Sequence, residues 1–274
     1  MMLNTKIIEK MSYTDFIALI KETNRCPGGK DSVRTIIQNT LINEGSRVLE
    51  IGSNTGFTSL EIAHTIRCKI RGIDVSRNCV QESKNRLELD IPEIKKLVKF
   101  KVGSAYNIPY KSNSFDLVIT GGATSFMDNK QKAINEYIRV TKPWRYISAT
   151  QLFYVKKPPQ KIVDDVSEAI GSKINVWGES DWLNVFRKNP ELELYFYKTH
   201  KLFDQPKGRI DRYIQYFLNK PHMKPLESDV KKSIENKWRR YINIFNENHK
   251  YLGYFIAIFR KNVYEEEPEL FIQR

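Results

Sequence analysis

The sequence contains few residues that could cross-link it or bind a metal. It has three cysteines, Cys26, Cys68 and Cys79, and none of them forms a CxxC pair. We therefore expect unpaired thiols and no disulfide framework, which is typical of a protein in the reducing cytoplasm. The four histidines are scattered without the spacing of metal ligands, so we expect no metal site.

Long hydrophobic runs are also missing. The longest strongly apolar stretch, from Tyr251 to Phe259, is too short to span a bilayer and predicts a buried strand. The first residues, MMLNTKIIEKM, carry scattered charges in place of an apolar segment, so we expect no signal peptide. We accordingly expect a cytoplasmic protein without a membrane partner.

Acidic residues are outnumbered by basic ones, and the net charge is +13. Such an excess can indicate a polyanionic partner, and nucleic acid stays open as an alternative partner. The basic residues are not concentrated in one run, however. Between Lys201 and Lys261 they are interleaved with apolar residues at helical spacing. A solvated helix face is the favoured interpretation. No RNA-binding signature is attached, and the oligomeric state stays open.

Strand-like and helix-like segments alternate from residue 47 onward. RVLEI, KIRGIDV, LVKFKVGSA, SFDLVITGG, YISATQLFYV, ELELYFYKTHKLF and YLGYFIAIFRK predict seven strands. Alternation with helices indicates βαβ units and a parallel sheet covered on both faces. We predict an α/β fold with a Rossmann-like, doubly wound, seven-stranded, mostly parallel sheet whose last strand is antiparallel.

Helical segments flank and interrupt this sheet. We predict an N-terminal helical lid at residues 1–45, with a helix over 2–23 that contains an S-x-x-D capping signature at Ser12 and Asp15. The sheet domain is predicted over 46–262, with helical insertions at about 158–189 and 204–250. A glutamate-rich tail, 263–274, follows as a loosely held terminus.

The stretch VLEIGSNTG predicts a ligand-binding loop between the first strand and the next helix. A dinucleotide loop has the pattern G-x-G-x-x-G, but counted from Gly52 the later glycine positions hold Asn54 and Phe57. A P-loop would need a Gly-Lys-Ser/Thr ending, which is also absent. The remaining pattern, Glu50, Gly52 and Gly56, suits a nucleoside-like ligand that carries an amino-acid tail and no phosphate. Glu50 could meet the ammonium group of that tail.

An acidic residue, Asp74, ends the next predicted strand. A carboxylate there can accept hydrogen bonds from both hydroxyls of a ribose. Val75 could pack on an adenine ring, and Ser104 and Ala105 on the following strand could lie at its edge. The alternative for Asp74 is a cap of the following helix, and the alternative for the two glycines is a plain turn.

The segments VLEIGSNTG, GIDVS, GSAYNIPYKSNSFDLVITGGA and YIRVTKP, in this order, resemble class I S-adenosylmethionine-dependent methyltransferases. Within that class the resemblance is to the methyltransferase-11 or ubiquinone-biosynthesis-like group, over about residues 25 to 155. It implies S-adenosyl-L-methionine as cofactor and S-adenosyl-L-homocysteine as product. The implied contacts are Glu50, Gly52, Ser53, Asn54 and Gly56 around the methionine part, Asp74 at the ribose, Ser104 and Ala105 at the adenine, and Thr120 and Gly121 beside the sulfonium.

Three positions depart from the family pattern. Ser104 stands where an aspartate usually accepts a hydrogen bond from the adenine amino group, so we expect weaker adenine binding. The middle of the glycine loop is SNT, where a cysteine and another glycine are more common. The usual Pro-Gly-Gly turn before the fifth strand is KPWRY, which places Trp144 at the turn.

The sequence defines the methyl acceptor less well. Methyl transfer from a sulfonium is an in-line displacement that depends mainly on alignment, so we name no catalytic residue. Arg25 could pair with the cofactor carboxylate, with a surface role as the alternative. The candidates for an acceptor pocket are Tyr13, Asn24, Phe126, Tyr154 and Trp177.

We expect an enzyme that methylates an O, N or C atom of a small molecule. One alternative is a methyltransferase that acts on RNA or a protein through the basic C-terminal helical region. The other is a non-catalytic protein that binds S-adenosylmethionine.

Overall fold

A computed structural model describes residues 3–263 of the chain. These residues form seven strands: β1 Arg47–Ile51, β2 Lys69–Asp74, β3 Val98–Val102, β4 Phe115–Thr120, β5 Thr141–Tyr154, β6 Leu192–Lys201 and β7 Leu252–Lys261. They also form eleven α-helices: α1 Thr5–Lys10, α2 Tyr13–Leu19, α3 Gly29–Gln38, α4 Phe57–Ile66, α5 Arg77–Glu88, α6 Pro92–Leu97, α7 Lys130–Val140, α8 Gln160–Ile170, α9 Glu179–Arg187, α10 Lys207–Leu218 and α11 Ser228–His249. Within this part of the chain, no helix combines the length and apolar character needed to cross a membrane.

The strands form one sheet in the order β3-β2-β1-β4-β5-β7-β6. Neighbouring strands pair in parallel from β3 to β5, whereas β7 is antiparallel to both β5 and β6. The predicted fold, including the antiparallel last strand, is confirmed. Because the chain moves outward from β1 to β3 and then returns to β4, a crevice opens between the carboxyl ends of β1 and β4. Ligands bind at such switch points in open α/β sheets.

Two hydrophobic layers cover the faces of the sheet. Leu49 and Val118 contribute to a cluster with α7 and α9, while the adjacent Val48 and Leu117 contribute to a cluster with α3, α4, α5 and α6. This alternation follows from the two-residue period of a strand. Burying one large apolar side chain contributes about 1.5–3 kcal/mol, so the layers hold the strand ends firmly in place.

A third hydrophobic cluster contains no strand residue. It joins the first two helices to the C-terminal helices, and its members come from α1, α2, α8, α10, α11 and the turn at Met223. We call these five helices the helical cap. The Phe16 ring lies 6.0 Å from that of Trp238, and the Tyr13 ring lies 5.4 Å from that of Tyr241. The division of the chain into lid, sheet domain and insertions stays a prediction, and residues 264–274 of the predicted tail lie outside the described residues.

The helix predicted over residues 2–23 is wrong in its continuity. The chain forms two helices, with Met11 and Ser12 in extended conformation between them. The Ser12 hydroxyl accepts a hydrogen bond from the Asp15 N–H at 3.2 Å, so it caps a new helix. The capping signature was visible in the sequence, and it marks the start of α2.

Candidate active site

The glycine loop, residues 52–56, turns sharply between β1 and α4. Gly52 and Gly56 have φ values of +70° and +90°, in the left-handed region that favours glycine. A Cβ on Gly52 would overlap the methyl group of Ala123, and one on Gly56 would lie 2.8 Å from the Phe100 ring. Both positions therefore require glycine for conformation and for space. The loop follows the carboxyl end of β1, and its N–H groups from Gly52 to Gly56 donate hydrogen bonds within the protein.

Asp74 connects the glycine loop to the end of β2. Its two oxygens accept hydrogen bonds from the N–H groups of Asn54 and Ser76, both at 2.8 Å. Burial raises the pKa of Asp74, and these backbone hydrogen bonds act in the opposite direction. The Ser76 hydroxyl, at 3.1 Å from the Cys79 nitrogen, already caps α5, so Asp74 is not needed as a side-chain cap. Each carboxylate oxygen retains a lone pair for a ligand hydroxyl.

Glu50 is a buried acid on β1. One of its oxygens accepts hydrogen bonds from the N–H and the hydroxyl of Ser59, and only 4% of the residue is exposed. Burial raises its pKa to about 7. In the described part of the chain, no basic side chain lies within 4.0 Å of its carboxylate. A ligand ammonium would supply the missing charge.

The end of β4 is held by a chain of buried hydroxyls. The Thr120 hydroxyl lies 3.0 Å from that of Thr124, which lies 3.3 Å from the hydroxyl of Tyr137 on α7. The next residue, Gly121, is covered by the segment before α3, because a Cβ on Gly121 would lie 2.8 Å from the Cβ of Cys26. The structure thus places Gly121 at the crevice, below the predicted lid.

The predicted adenine side is formed by the ends of β2 and β3. Val75 is 73% exposed immediately after β2, whereas Ala105 is buried. The Ser104 hydroxyl accepts a hydrogen bond from the Tyr106 N–H at 3.1 Å and still has a proton to donate. Ser53 lies in the glycine loop with its hydroxyl buried and without a hydrogen-bond partner in residues 3–263.

The predicted lid, residues 1–45, contacts the crevice at the glycine loop and at the start of α5. The Thr55 hydroxyl is within hydrogen-bond distance of the carbonyls of Glu22 and Thr23, at 2.8 and 3.0 Å. Asn24 follows with a φ of +45°, and the exposed guanidinium of Arg25 lies 5.5 Å from the ring centroid of Phe57. At the other end, Asp15 accepts hydrogen bonds from Asn78 at 2.9 Å and from Ser76 at 3.3 Å.

The candidates for the acceptor pocket do not form one wall. Phe126 is 53% exposed on the 3-10 turn Ala123–Phe126 that follows β4. The Tyr154 hydroxyl donates to Asn248 of α11 at 3.2 Å, whereas the Trp177 ring lies 4.8 Å from that of Trp182. Tyr13 packs in the helical cap. The structure thus brings the predicted cofactor residues together and distributes the acceptor candidates over separate places.

One charged residue beside Trp177 is not among the candidates predicted from the sequence. Lys130 is only 8% exposed, and its ammonium group lies 4.9 Å from the ring centroid of Trp177. The helix spacing could have revealed it, because Lys130 shares the apolar stripe of Ala133, Ile134 and Tyr137 on α7.

A glycine loop, a buried acid and a second acid at a switch point of an α/β sheet suit a nucleoside-like ligand with an amino-acid tail. Residues 42–190, more than half of the chain, match the family described as a methyltransferase domain. The chain belongs to this family. It is a class I S-adenosylmethionine-dependent methyltransferase, as the resemblance implied.

The chain is similar to a named methyltransferase and to two proteins whose names state no activity. An uncharacterized protein of Haemophilus influenzae is 24% identical over 246 residues, which cover 89% of this chain and 95% of that protein. Norajmaline N-methyltransferase of Rauvolfia serpentina is 35% identical over 96 residues, or 35% of this chain and 32% of that enzyme. The chain thus spans about a third of that relative. The crystal structure of the MccD protein has a TM-score of 0.72 at 23% identity and covers 87% of this chain and 100% of its own.

Proposed function

We propose that the protein transfers the methyl group of S-adenosylmethionine to an O, N or C atom of a small-molecule acceptor by in-line displacement. The observation that carries the proposal is the crevice at the ends of β1, β2 and β4. There, among residues 3–263, Glu50 has no counter-ion within 4.0 Å, Asp74 has spare lone pairs, and the chain turns at Gly52 without a side chain. The position of Cys26 over Gly121 supports a compact acceptor, because the lid already covers the reacting end.

These residues fit the cofactor group by group. The glycine loop and Glu50 would hold the methionine ammonium, and the exposed Arg25 guanidinium would pair with the carboxylate. Asp74 would accept the ribose hydroxyls, with Val75 and Ser104 on the adenine side. A charged ligand group that restores a missing counter-charge offsets the cost of burying Glu50.

Bound S-adenosylmethionine supplies a methyl group on a sulfonium, which is already activated for displacement. The chain contributes alignment, an effect that can reach about 7–11 kcal/mol. The hydroxyls of Thr120, Thr124 and Tyr137 bond to one another, and burial raises the pKa of Tyr137. They hold the turn beside Gly121 in place, and we assign them no proton transfer. Cys26 lies against Gly121 at this turn.

The test is calorimetric titration with S-adenosylhomocysteine, with NAD as the comparison ligand. We expect micromolar binding of the former and none of NAD. Asp74→Ala should lose about 1.5–3 kcal/mol of binding free energy, the value for a hydrogen bond to a charged group. Asp165→Ala, at an acid that pairs with Lys161 on α8, is the matched control. Binding of NAD, or a folded Asp74→Ala protein with unchanged affinity, would contradict the proposal.

RNA is a second candidate acceptor. It is favoured by α10, on which Arg209, Arg212 and the 66% exposed Tyr216 share the outer face, near Tyr213 that contacts the lid at Glu22. Cations interleaved with aromatic rings are typical of surfaces that bind single strands. Binding of a single-stranded oligonucleotide should then weaken steeply with salt. Replacing both arginines with uncharged residues should make the affinity depend less steeply on salt concentration. Absence of binding at low salt would remove this candidate.

A further inference from the structure

A surface cavity of about 590 Å³, largely open to solvent, lies beside the segment that follows β4. Its walls include Asp128 and Lys130 at the start of α7, Trp177 before α9, and Lys188 at the end of α9. This volume is within the range of small-molecule sites. Asp128, the first residue of its lining, follows Gly121 by seven positions in the sequence. The cavity thus lies at the same edge of the sheet as the cofactor crevice.

Lys130 brings a buried positive charge to this cavity. Its ammonium donates a hydrogen bond to the Met127 carbonyl at 2.8 Å and lies 5.6 Å from the ring centroid of Trp182. The ammonium has three N–H donors, so this bond leaves two of them for other partners. A lysine is rarely buried without an anionic partner.

No such partner is present in the described part of the chain. The ion pairs within 4.0 Å there include neither Lys130 nor Lys188. Burial lowers the pKa of Lys130, and Asp128, which lines the cavity beyond ion-pair distance, acts in the opposite direction. The two lysines therefore outnumber the one acid of the lining. An oxyanion is the group that this cavity would attract.

Hydrogen bonds connect the cavity to the end of β4. The Tyr137 hydroxyl, already joined to Thr124 and Thr120, donates to the sulfur of Met127 at 3.4 Å. The carbonyl of Met127 in turn holds Lys130. The cavity and the turn beside Gly121 are thus joined by a continuous series of hydrogen bonds.

We propose that this cavity binds the oxyanion of the methyl acceptor, a carboxylate or a phosphate, with Lys130 as donor and the Trp177 ring against the adjoining apolar part. The proposal rests on the proposed function. The acceptor then extends from Lys130 along the turn that bears Phe126 towards Gly121. A cationic acceptor group is disfavoured here, because Lys130 and Lys188 would repel it.

The test is 19F NMR of full-length protein labelled with 5-fluorotryptophan, which gives one signal for each of four tryptophans. Benzoate and phenyl phosphate are the anionic probes, and benzyl alcohol is the neutral one. We expect saturable shifts of the Trp177 and Trp182 signals with an anion, and none at Trp144 or Trp238. The more effective probe distinguishes a carboxylate from a phosphate.

Substitutions test the role of the ammonium. Lys130→Met should weaken anion binding at least tenfold, and Lys130→Arg should largely keep it. Lys132→Met, at an exposed lysine on the same helix, is the matched control and should leave it unchanged. Equal shifts with benzyl alcohol, no saturable shift with either anion, or unchanged binding in folded Lys130→Met protein would overturn the proposal.

Titration with S-adenosylhomocysteine on the same samples separates the two proposals. If that ligand binds and the anions do not, the anion site is wrong and the proposed function stands. If the anions bind and S-adenosylhomocysteine does not, the assignment of the cavity to a methyl acceptor is wrong.

Discussion

Glu50 should make both stability and cofactor binding depend on pH. Burial raises its pKa from 4.5 to about 7, so between these values the folded protein binds a proton that the unfolded chain has released. The stability of the ligand-free protein should therefore fall as pH rises from about 5 to 7. This rise in pKa corresponds to at most about 3–4 kcal/mol of stability, since one pKa unit is about 1.4 kcal/mol.

Binding of the cofactor should favour the ionised form of Glu50 over the protonated form. A cofactor ammonium pairs with ionised Glu50 and pulls its pKa down, so binding should release a proton. With a pKa of about 7, only about one tenth of Glu50 is ionised at pH 6, and affinity there should be about tenfold lower than at pH 8. Calorimetry of S-adenosylhomocysteine at pH 6, 7 and 8, in buffers of different ionisation enthalpy, measures the affinity and the released protons together.

Glu50→Gln separates the two effects. It keeps the shape of the side chain but cannot ionise, so it should be more stable than the wild type at pH 8 and bind S-adenosylhomocysteine more weakly. Glu88→Gln, at an exposed glutamate on α5, is the matched control and should change neither. The reasoning is refuted if Glu50→Gln binds as tightly as the wild type at pH 8, or if binding at pH 7 releases no proton.

Three further substitutions test the loop, the adenine side and the lid. Gly52→Ala should abolish binding of S-adenosylhomocysteine and lower the free energy of unfolding by about 1–3 kcal/mol. Gly171 has a similar φ but open space around an added Cβ. Thermal unfolding should therefore show a smaller loss of stability for Gly171→Ala than for Gly52→Ala. Ser104→Asp should tighten S-adenosylhomocysteine binding about threefold to tenfold by calorimetry, because a carboxylate accepts more strongly than a hydroxyl; unchanged affinity would place the adenine elsewhere. Lys237→Met leaves three lid carbonyls without their donor, so hydrogen exchange over residues 5–24 should accelerate, while the exposed Lys232→Met should have no effect.

Local pattern was enough to predict the sheet and the ligand-binding loop after its first strand. The seven strands follow from two-residue alternation and apolar runs, and their parallel arrangement follows from the helices between them. Parallel strands bring their carboxyl ends to one edge of the sheet, but the common site of Glu50, Asp74 and Gly121 was implied by the family resemblance. The family assignment is confirmed, and the roles of the individual cofactor residues stay predictions.

Only the tertiary structure decided what the helices and the acceptor side do. The pairing of Tyr13 with Tyr241 joins the two ends of the described chain into the helical cap, and no local signal encodes a contact over such a distance. The pKa of Glu50 and the burial of Lys130 likewise depend on what packs around them. Sequence period fixes the face on which a side chain lies, whereas its partners on that face are fixed by how the elements pack.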